Sequence, residues 1–201
     1  MSNLFDYDYN RLDPVKRMAM HKFASTLSHP ERMRIRVMPA GETAAVLDFI
    51  DYDFMLAFNV EGLGTKNLIS DSMYEELKQK AEVGKKAAAK VYRTIGQDAV
   101  AMSVNDLLGV GADPICYGDF LTTGNDLWFT DLYRVDELLE GYKIAADIVG
   151  CAIPLGETPA LPGVVNPETL VLEGASVGLI QPKDRFITGQ KVKVRDVKFT
   201  A

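Results

Sequence analysis

"DAVAMSVNDLLGVGADP", residues 98–114, decides how this chain reads. Most of it has the apolar content of a buried helix, yet Asn105 and Asp106 sit together in its middle and Asp98 opens it. At about 100° per residue, Asp98 and Asn105 fall within roughly 20° of each other. Met102 and Gly109 lie between them and Asp106, while Val100, Val104, Leu107 and Leu108 cluster on the opposite side. The polar residues therefore form one narrow edge and leave the apolar face intact. On this helix alone two readings stand. Asp98 caps the helix after Gly96 with Asn105 and Asp106 simply exposed, or the carboxylates serve a partner such as a metal ion, because an isolated buried carboxylate is costly.

Working outward, "AAVLDFID" and "DFMLAFNV" (44–51 and 53–60) read as two paired strands around the turn-like "DYD". The segment from Ser70 to Gly96 reads as helical, with Ser70 or Asp71 as cap and Tyr74, Leu77 and Ala81 marking its apolar side. Its lysines 78, 80, 85, 86 and 90 are better explained as a solvated surface than as an anion-binding face. "PICYGDFLTTG" (114–124) reads as strand and turn. A further helix follows Thr130 or Asp131, with Val135, Leu138, Leu139, Tyr142 and Ala146 as its apolar side. "CAIPLGETPALPG" (151–163) reads as a strand entering a loop, and "TLVLEGASVGLIQP" (169–182) as a strand pair or one long bent strand. Ahead of all this, residues 1–40 form a partly irregular extension with one helix around Asp13–Leu27, where Pro14 suits a first turn. The element order is that of a single α/β domain over residues 41–201.

Composition narrows the function classes. The chain has 201 residues and a net charge of −6, a poor basis for general nucleic-acid binding. Its two cysteines, Cys116 and Cys151, make no disulfide framework and suit a reducing compartment. There is no apolar signal core and no run long enough to span a bilayer, so the expectation is a cytoplasmic protein without a membrane partner. His21 and His29 lie in a polar stretch, outside any HExxH pattern, and read as surface residues. A Ser–His–Asp triad has no GxSxG to support it.

The chemistry-bearing residues gather at strand ends, where sites in α/β proteins commonly form. "EGLGTK" (61–66) offers a carboxylate, two glycines and a lysine, although it lacks the GxxxxGK[ST] spacing of a P-loop. "LGETPALPG" (155–163) offers Glu157 and Thr158 between glycines, and Asp119 lies in "YGDFLTTG". Several acids, one lysine and tight glycine turns suit a metal-bound polyphosphate.

The ordered set "EGLGTK", "GQDAVAMSVNDLLGVGADP", "GDFLTTG", "GCAIPLGETPALPG" and "EGASVGLI" resembles the N-terminal half of the aminoimidazole ribonucleotide synthetases, the phosphoribosylformylglycinamidine cyclo-ligases of purine biosynthesis. The resemblance covers about residues 45–197. It implies an α/β (α+β) fold, a mixed or antiparallel sheet with helices on one side that dimerises into a barrel-like core. It also implies ATP and Mg2+ as cofactors and a ribonucleotide as the small-molecule substrate. By resemblance Glu61, Asp98, Asp106 and Glu157 would hold metal and phosphates, Asn105 would orient them, and Lys66 would neutralise phosphate charge. Lys66, Asp98 and Asn105 would be the catalytic set. Gly62, Gly64, Thr65, Lys66, Asp119, Gly156 and Thr158 would line the nucleotide.

The chain departs from that pattern in places. Glu61 stands where the family usually has Asp, Leu155 replaces a glycine, and Ala160 removes a second acid. The family's second domain is expected beyond this chain, either as a separate partner chain or in a longer protein. Two alternatives belong beside the cyclo-ligase reading: a non-catalytic dimerising nucleotide-binding module, and a sister ATP-dependent kinase or synthetase of the same superfamily.

Overall fold

The computed structural model describes residues 9–39 and 41–193. Its strands are β1 (Ile35–Val37), β2 (Ala45–Phe49), β3 (Met55–Gly62), β4 (Asp113–Thr123), β5 (Ala152–Glu157) and β6 (Leu170–Ile180). They form one sheet in the order β1-β2-β3-β6-β4-β5. Every neighbouring pair is antiparallel except β4 and β5. The parallel pair is joined by a helix crossover, as parallel strands require. The sheet is therefore mixed, as expected. The "TLVLEGASVGLIQP" segment is one long strand, not a pair, because β6 runs the full length between β3 and β4.

The helices are α1 (Tyr9–Phe23), α2 (Lys66–Lys78), α3 (Gly84–Ala88), α4 (Val91–Gly109) and α5 (Leu132–Val149). The long α4 lies across β3, β6 and β4, and α5 packs beside it. Strand alternation sorts the side chains. Met55, Ala57 and Asn59 of β3, and Leu170, Leu172, Ser176 and Ile180 of β6, are buried beneath the helices. The opposite phase leaves Phe58 and Val60 exposed on the other face. The main core joins Tyr92, Val100, Val104, Tyr117, Leu138 and Leu172. A smaller one joins Val46, Ala57, Leu107 and Ile180 at the far end of α4.

Several local expectations are corrected. Asp98 does not cap α4: the helix begins at Val91, because Tyr92, Ile95, Gly96 and Ala99 extend its buried stripe toward the N-terminus. Ser70 and Asp71 lie inside α2, which starts at Lys66 where the buried Asn67 amide donates to Thr169 Oγ1 (2.8 Å) and to the Leu170 carbonyl. Ala81 falls beyond that helix. Asp131 does stand before α5, but its side chain accepts from Tyr74 Oη at 2.6 Å and pairs with Lys85 instead of capping. Leu139 faces outward on α5, not into the core. The N-terminal helix sits earlier than expected, and Ala24–Met33 continues it as 3-10 turns. β1, ahead of residue 41, had no sequence signal and is an edge strand of the sheet. His21 and His29 are exposed, and Lys78 and Lys80 pair with Glu75 and Glu76 on a solvated surface.

α4 and α5 cross at two glycines. A Cβ on Gly96 would overlap the Leu138 carbonyl, and one on Gly141 would overlap the Arg93 carbonyl. Alanine is worth about 1 kcal/mol over glycine in a free helix, but overpacking typically costs about 1–3 kcal/mol. Gly141→Ala should therefore destabilise the protein, lowering the urea midpoint. A raised midpoint would show that the helices separate freely.

Candidate functional site

The polar edge of α4 is set by a buried network beneath it. Asn59 of β3, Ser103 of α4 and Ser176 of β6 are all buried. Asn59 Oδ1 accepts from the hydroxyls of Ser103 (2.8 Å) and Ser176 (2.6 Å). Asn59 Nδ2 donates to the Ser103 carbonyl (2.9 Å) and to Asp106 Oδ2 (3.3 Å). Both donors and both acceptor positions of the amide are thus used. These three residues were not singled out in the sequence, although Asn59 and Ser176 stand as polar residues at the inward phase of two apolar strands.

The network places Asp106 against Glu61. Glu61 is two residues beyond Asn59 on β3, so it shares the helix-side face. Its carboxyl is held above its ordinary value, first by burial and then by the hydrogen bond and repulsion of Asp106. A neighbouring carboxylate disfavours the charged form of Glu61. A divalent cation between them would turn that repulsion into attraction, and oxygen donors of this kind suit magnesium. The residues present therefore fit a hard cation shared with phosphate oxygens.

Lys66 is the first residue of α2, directly after the Gly62–Thr65 turn, where Gly64 adopts φ +69°. Its Nζ lies 3.5 Å from Asp98 Oδ2, and both side chains remain substantially exposed. Thr65 makes no side-chain cap at the start of α2, and the first N–H groups of a helix lack intrahelical partners. An anion is favoured at such an end.

The same strand face carries a row across the sheet: Glu61 pairs with Gly174, Gly174 with Asp119, and Asp119 with Gly156. Burial raises the Asp119 carboxyl. That carboxylate lies against the Gly156 backbone, where any Cβ would overlap it. Asp119 also lines a groove of about 310 Å³ with Tyr142 and Cys151. Glu157 ends β5, Thr158 follows it, and both are exposed. Their loop is tied to β4 by Thr123, whose N–H donates to the Pro159 carbonyl (3.1 Å) and whose carbonyl accepts from the Leu161 N–H (2.7 Å).

The structure thus brings Glu61 to Asp106, Lys66 to Asp98, and Asp119 to Gly156. Asn105 lies exposed on the α4 edge. Among the described residues no three His, Cys, Asp or Glu side chains gather to enclose a metal. Asp98 and Glu157 do not join the Glu61–Asp106 pair within one chain.

Comparison with known proteins follows the same outline. The family model for the AIR synthase related protein, N-terminal domain, matches residues 41–180. A phosphoribosylformylglycinamidine cyclo-ligase of Pyrococcus horikoshii is 34% identical over 157 residues, covering 78% of this chain and 40% of its own. That of Pyrococcus furiosus is 35% identical over 158 residues, covering 78% and 39%. The chain thus spans about 40% of the length of these relatives. The solved structure of AaThiL complexed with AMPPCP and TMP shares the fold, with a TM-score of 0.52 at 15% identity over 87% of this chain and 44% of that one. No helix among the described residues is long and apolar enough to cross a membrane.

The Glu61 proton is held more tightly in the folded chain than in the unfolded one. Folded-state stability tied to this group is therefore full at low pH and lost as pH rises through the raised value. Glu61→Gln removes that loss. In metal-free buffer its Tm should exceed that of the wild type at pH 7, with a smaller gap at pH 4. A gap that widens toward pH 4 would refute the pairing.

Proposed function

This chain belongs to the AIR synthase related protein family, and on that premise we infer that residues 41–201 are the ATP-binding half of a cyclo-ligase completed by a second domain. The observation that carries this reading is the Glu61–Asp106 pair, held on the polar edge of α4 that also carries the Lys66–Asp98 pair. The reaction is the conversion of formylglycinamidine ribonucleotide and ATP to aminoimidazole ribonucleotide, ADP and phosphate.

Glu61 and Asp106 would hold magnesium, and Asp98 and Glu157 would meet further metal ions bound along the polyphosphate. When bound, magnesium supplies charge neutralisation on the phosphate oxygens. Lys66 leaves Asp98 for the phosphates, aided by the open N–H groups at Gly64, Thr65 and the start of α2. Asn105, free on the same edge, orients the phosphates through its amide. Gly62, Gly156, Thr158 and Asp119 line the nucleotide, and Gly156 admits the close approach that a side chain would block. Chemistry of this kind depends on positioning and charge stabilisation, with no protein nucleophile required.

The open sheet face supports a homodimer. Val60, Ala175, Gly118 and Leu155 form one row across four strands, with Val60 73% and Leu155 66% exposed. Two such faces packed together would form the barrel-like core, with the two candidate sites on its helix-bearing outer sides.

Calorimetry with ATP and magnesium on the verified dimer should show binding that disappears without magnesium. Asp106→Asn should weaken it at least about tenfold, roughly 1.4 kcal/mol. Supplying the second domain should then give ADP and phosphate with the ribonucleotide substrate. Absence of nucleotide binding would overturn the reading. Binding that survives Asp106→Asn, with no turnover when the second domain is supplied, would favour the non-catalytic module, whose supporting observation is the separation of Asp98 and Glu157 from the Glu61–Asp106 pair.

A further inference from the structure

The last turn of α4 begins at Asp106, and the final carbonyls of a helix need partners beyond its own ladder. The Leu107 carbonyl accepts from the N–H groups of Val110 (3.2 Å) and Ala112 (3.0 Å), and that of Leu108 from Gly111 (2.9 Å). The Asp106 carbonyl takes a different donor. It accepts the Thr43 hydroxyl at 2.7 Å, from 63 residues away in the chain. Gly109, the final residue of α4, leaves room for this bond: a Cβ there would lie 2.6 Å from Thr43 Oγ1.

Thr43 sits between two anchors in the loop ahead of β2. On one side, Ala44 is buried in the smaller core with Leu107 and Val110. On the other, Glu42 holds the segment after β6. Its Oε1 accepts the Thr188 hydroxyl (2.5 Å) and the Gly189 N–H (3.0 Å). The same segment also meets the end of α4 directly. The Ile187 N–H donates to the Val110 carbonyl (3.1 Å), and Phe186 packs against the smaller core. Residues 42–43 and 186–189 thus close as a clasp around the C-terminal end of α4. Asp106 is held twice as a result: Asn59 reaches its carboxylate from the sheet, and Thr43 its carbonyl from the loop. The Asn59 contact, at 3.3 Å, is long for a hydrogen bond, so the carboxylate's place depends on how the backbone at 106 is fixed.

We propose that Thr43 is a positioning residue for Asp106, and that Glu42 links it to the segment after β6, so that cation binding beside Glu61 and ordering of residues 186–189 favour each other. The link rests on the reading of Glu61 and Asp106 as a cation site. It runs in both directions, because coupling between binding free energies is reciprocal.

The test compares the full chain with Thr43→Val, which removes the hydroxyl at similar size, with Thr43→Ser, which keeps it, and with Glu42→Ala. In metal-free protein the NMR signals of the Asn59 side-chain amide should move in Thr43→Val and stay near wild type in Thr43→Ser. Calorimetry with ATP and magnesium should show binding weakened at least about fivefold in Thr43→Val and in Glu42→Ala, and little changed in Thr43→Ser. Hydrogen exchange at the Ile187 and Gly189 amides should slow when saturating ATP and magnesium bind the wild type, and not in Glu42→Ala. Unmoved Asn59 signals in Thr43→Val would overturn the positioning role, as would a Thr43→Ser as weak as Thr43→Val. Exchange at 187 and 189 that ignores the ligand in the wild type, or slows equally in Glu42→Ala, would overturn the link. A wild type that binds no ATP with magnesium would overturn the cation reading and the link with it, and the Asn59 signals would still decide the role of Thr43.

Discussion

Asn59 joins the sheet to α4, and the candidate site depends on that junction. Its amide holds Ser103 of the helix and Ser176 of the neighbouring strand, and its remaining donor reaches Asp106. A buried polar group left unpaired costs about 1–3 kcal/mol, so the four partners specify one rotation of α4 over the sheet. With that rotation, Leu107, Val104 and Val100 go down into the core and Asp106 comes up beside Glu61. The glycine crossing of α4 with α5 fixes the other side of the same helix. One helix is thereby held from two directions, and its polar edge has a single place to point.

The two faces of the sheet follow from the same arrangement. The face under α4 carries the acids Glu61 and Asp119, two strands apart in one row with glycines beside them. The other face carries Phe58, Val60, Phe120 and Leu155, all exposed in one chain. The proposed chemistry and the proposed association thus fall on opposite phases of the same strands. A one-residue slip of β3 would exchange them. The full-length run of β6 between β3 and β4 guards against that slip.

Much of this was legible in the sequence where periodicity is strong. The apolar runs at 44–51 and 53–60 are β2 and β3, and the polar edge of α4 falls where helical spacing puts it. The misreadings share one cause. Gly96 looks in isolation like a break ahead of an Asp98 cap, but in the fold it is a contact point with α5, so α4 begins at Val91 and Asp98 lies inside it. Ser70 and Asp71 have cap chemistry, yet Ser70 and Asn67 are buried and carry α2 back to Lys66. Leu139 shares the helical period of the core but lies just past its edge. β1 has three residues and no pattern of its own; its pairing with β2 makes it a strand. The site residues were readable as types at strand ends. Which acid meets which was not, because that depends on strand register and on the Asn59 network.

The central claim is that Glu61 and Asp106 face each other as the two sides of a cation site. Following the Glu61 carboxyl carbon by NMR through a pH titration tests it most directly. In the metal-free protein Glu61 should titrate above the ordinary glutamate range, fall back toward it in Asp106→Asn, and fall below it when magnesium and ATP are added to the wild type. A Glu61 that titrates in the ordinary range and responds to neither Asp106→Asn nor magnesium would contradict the account.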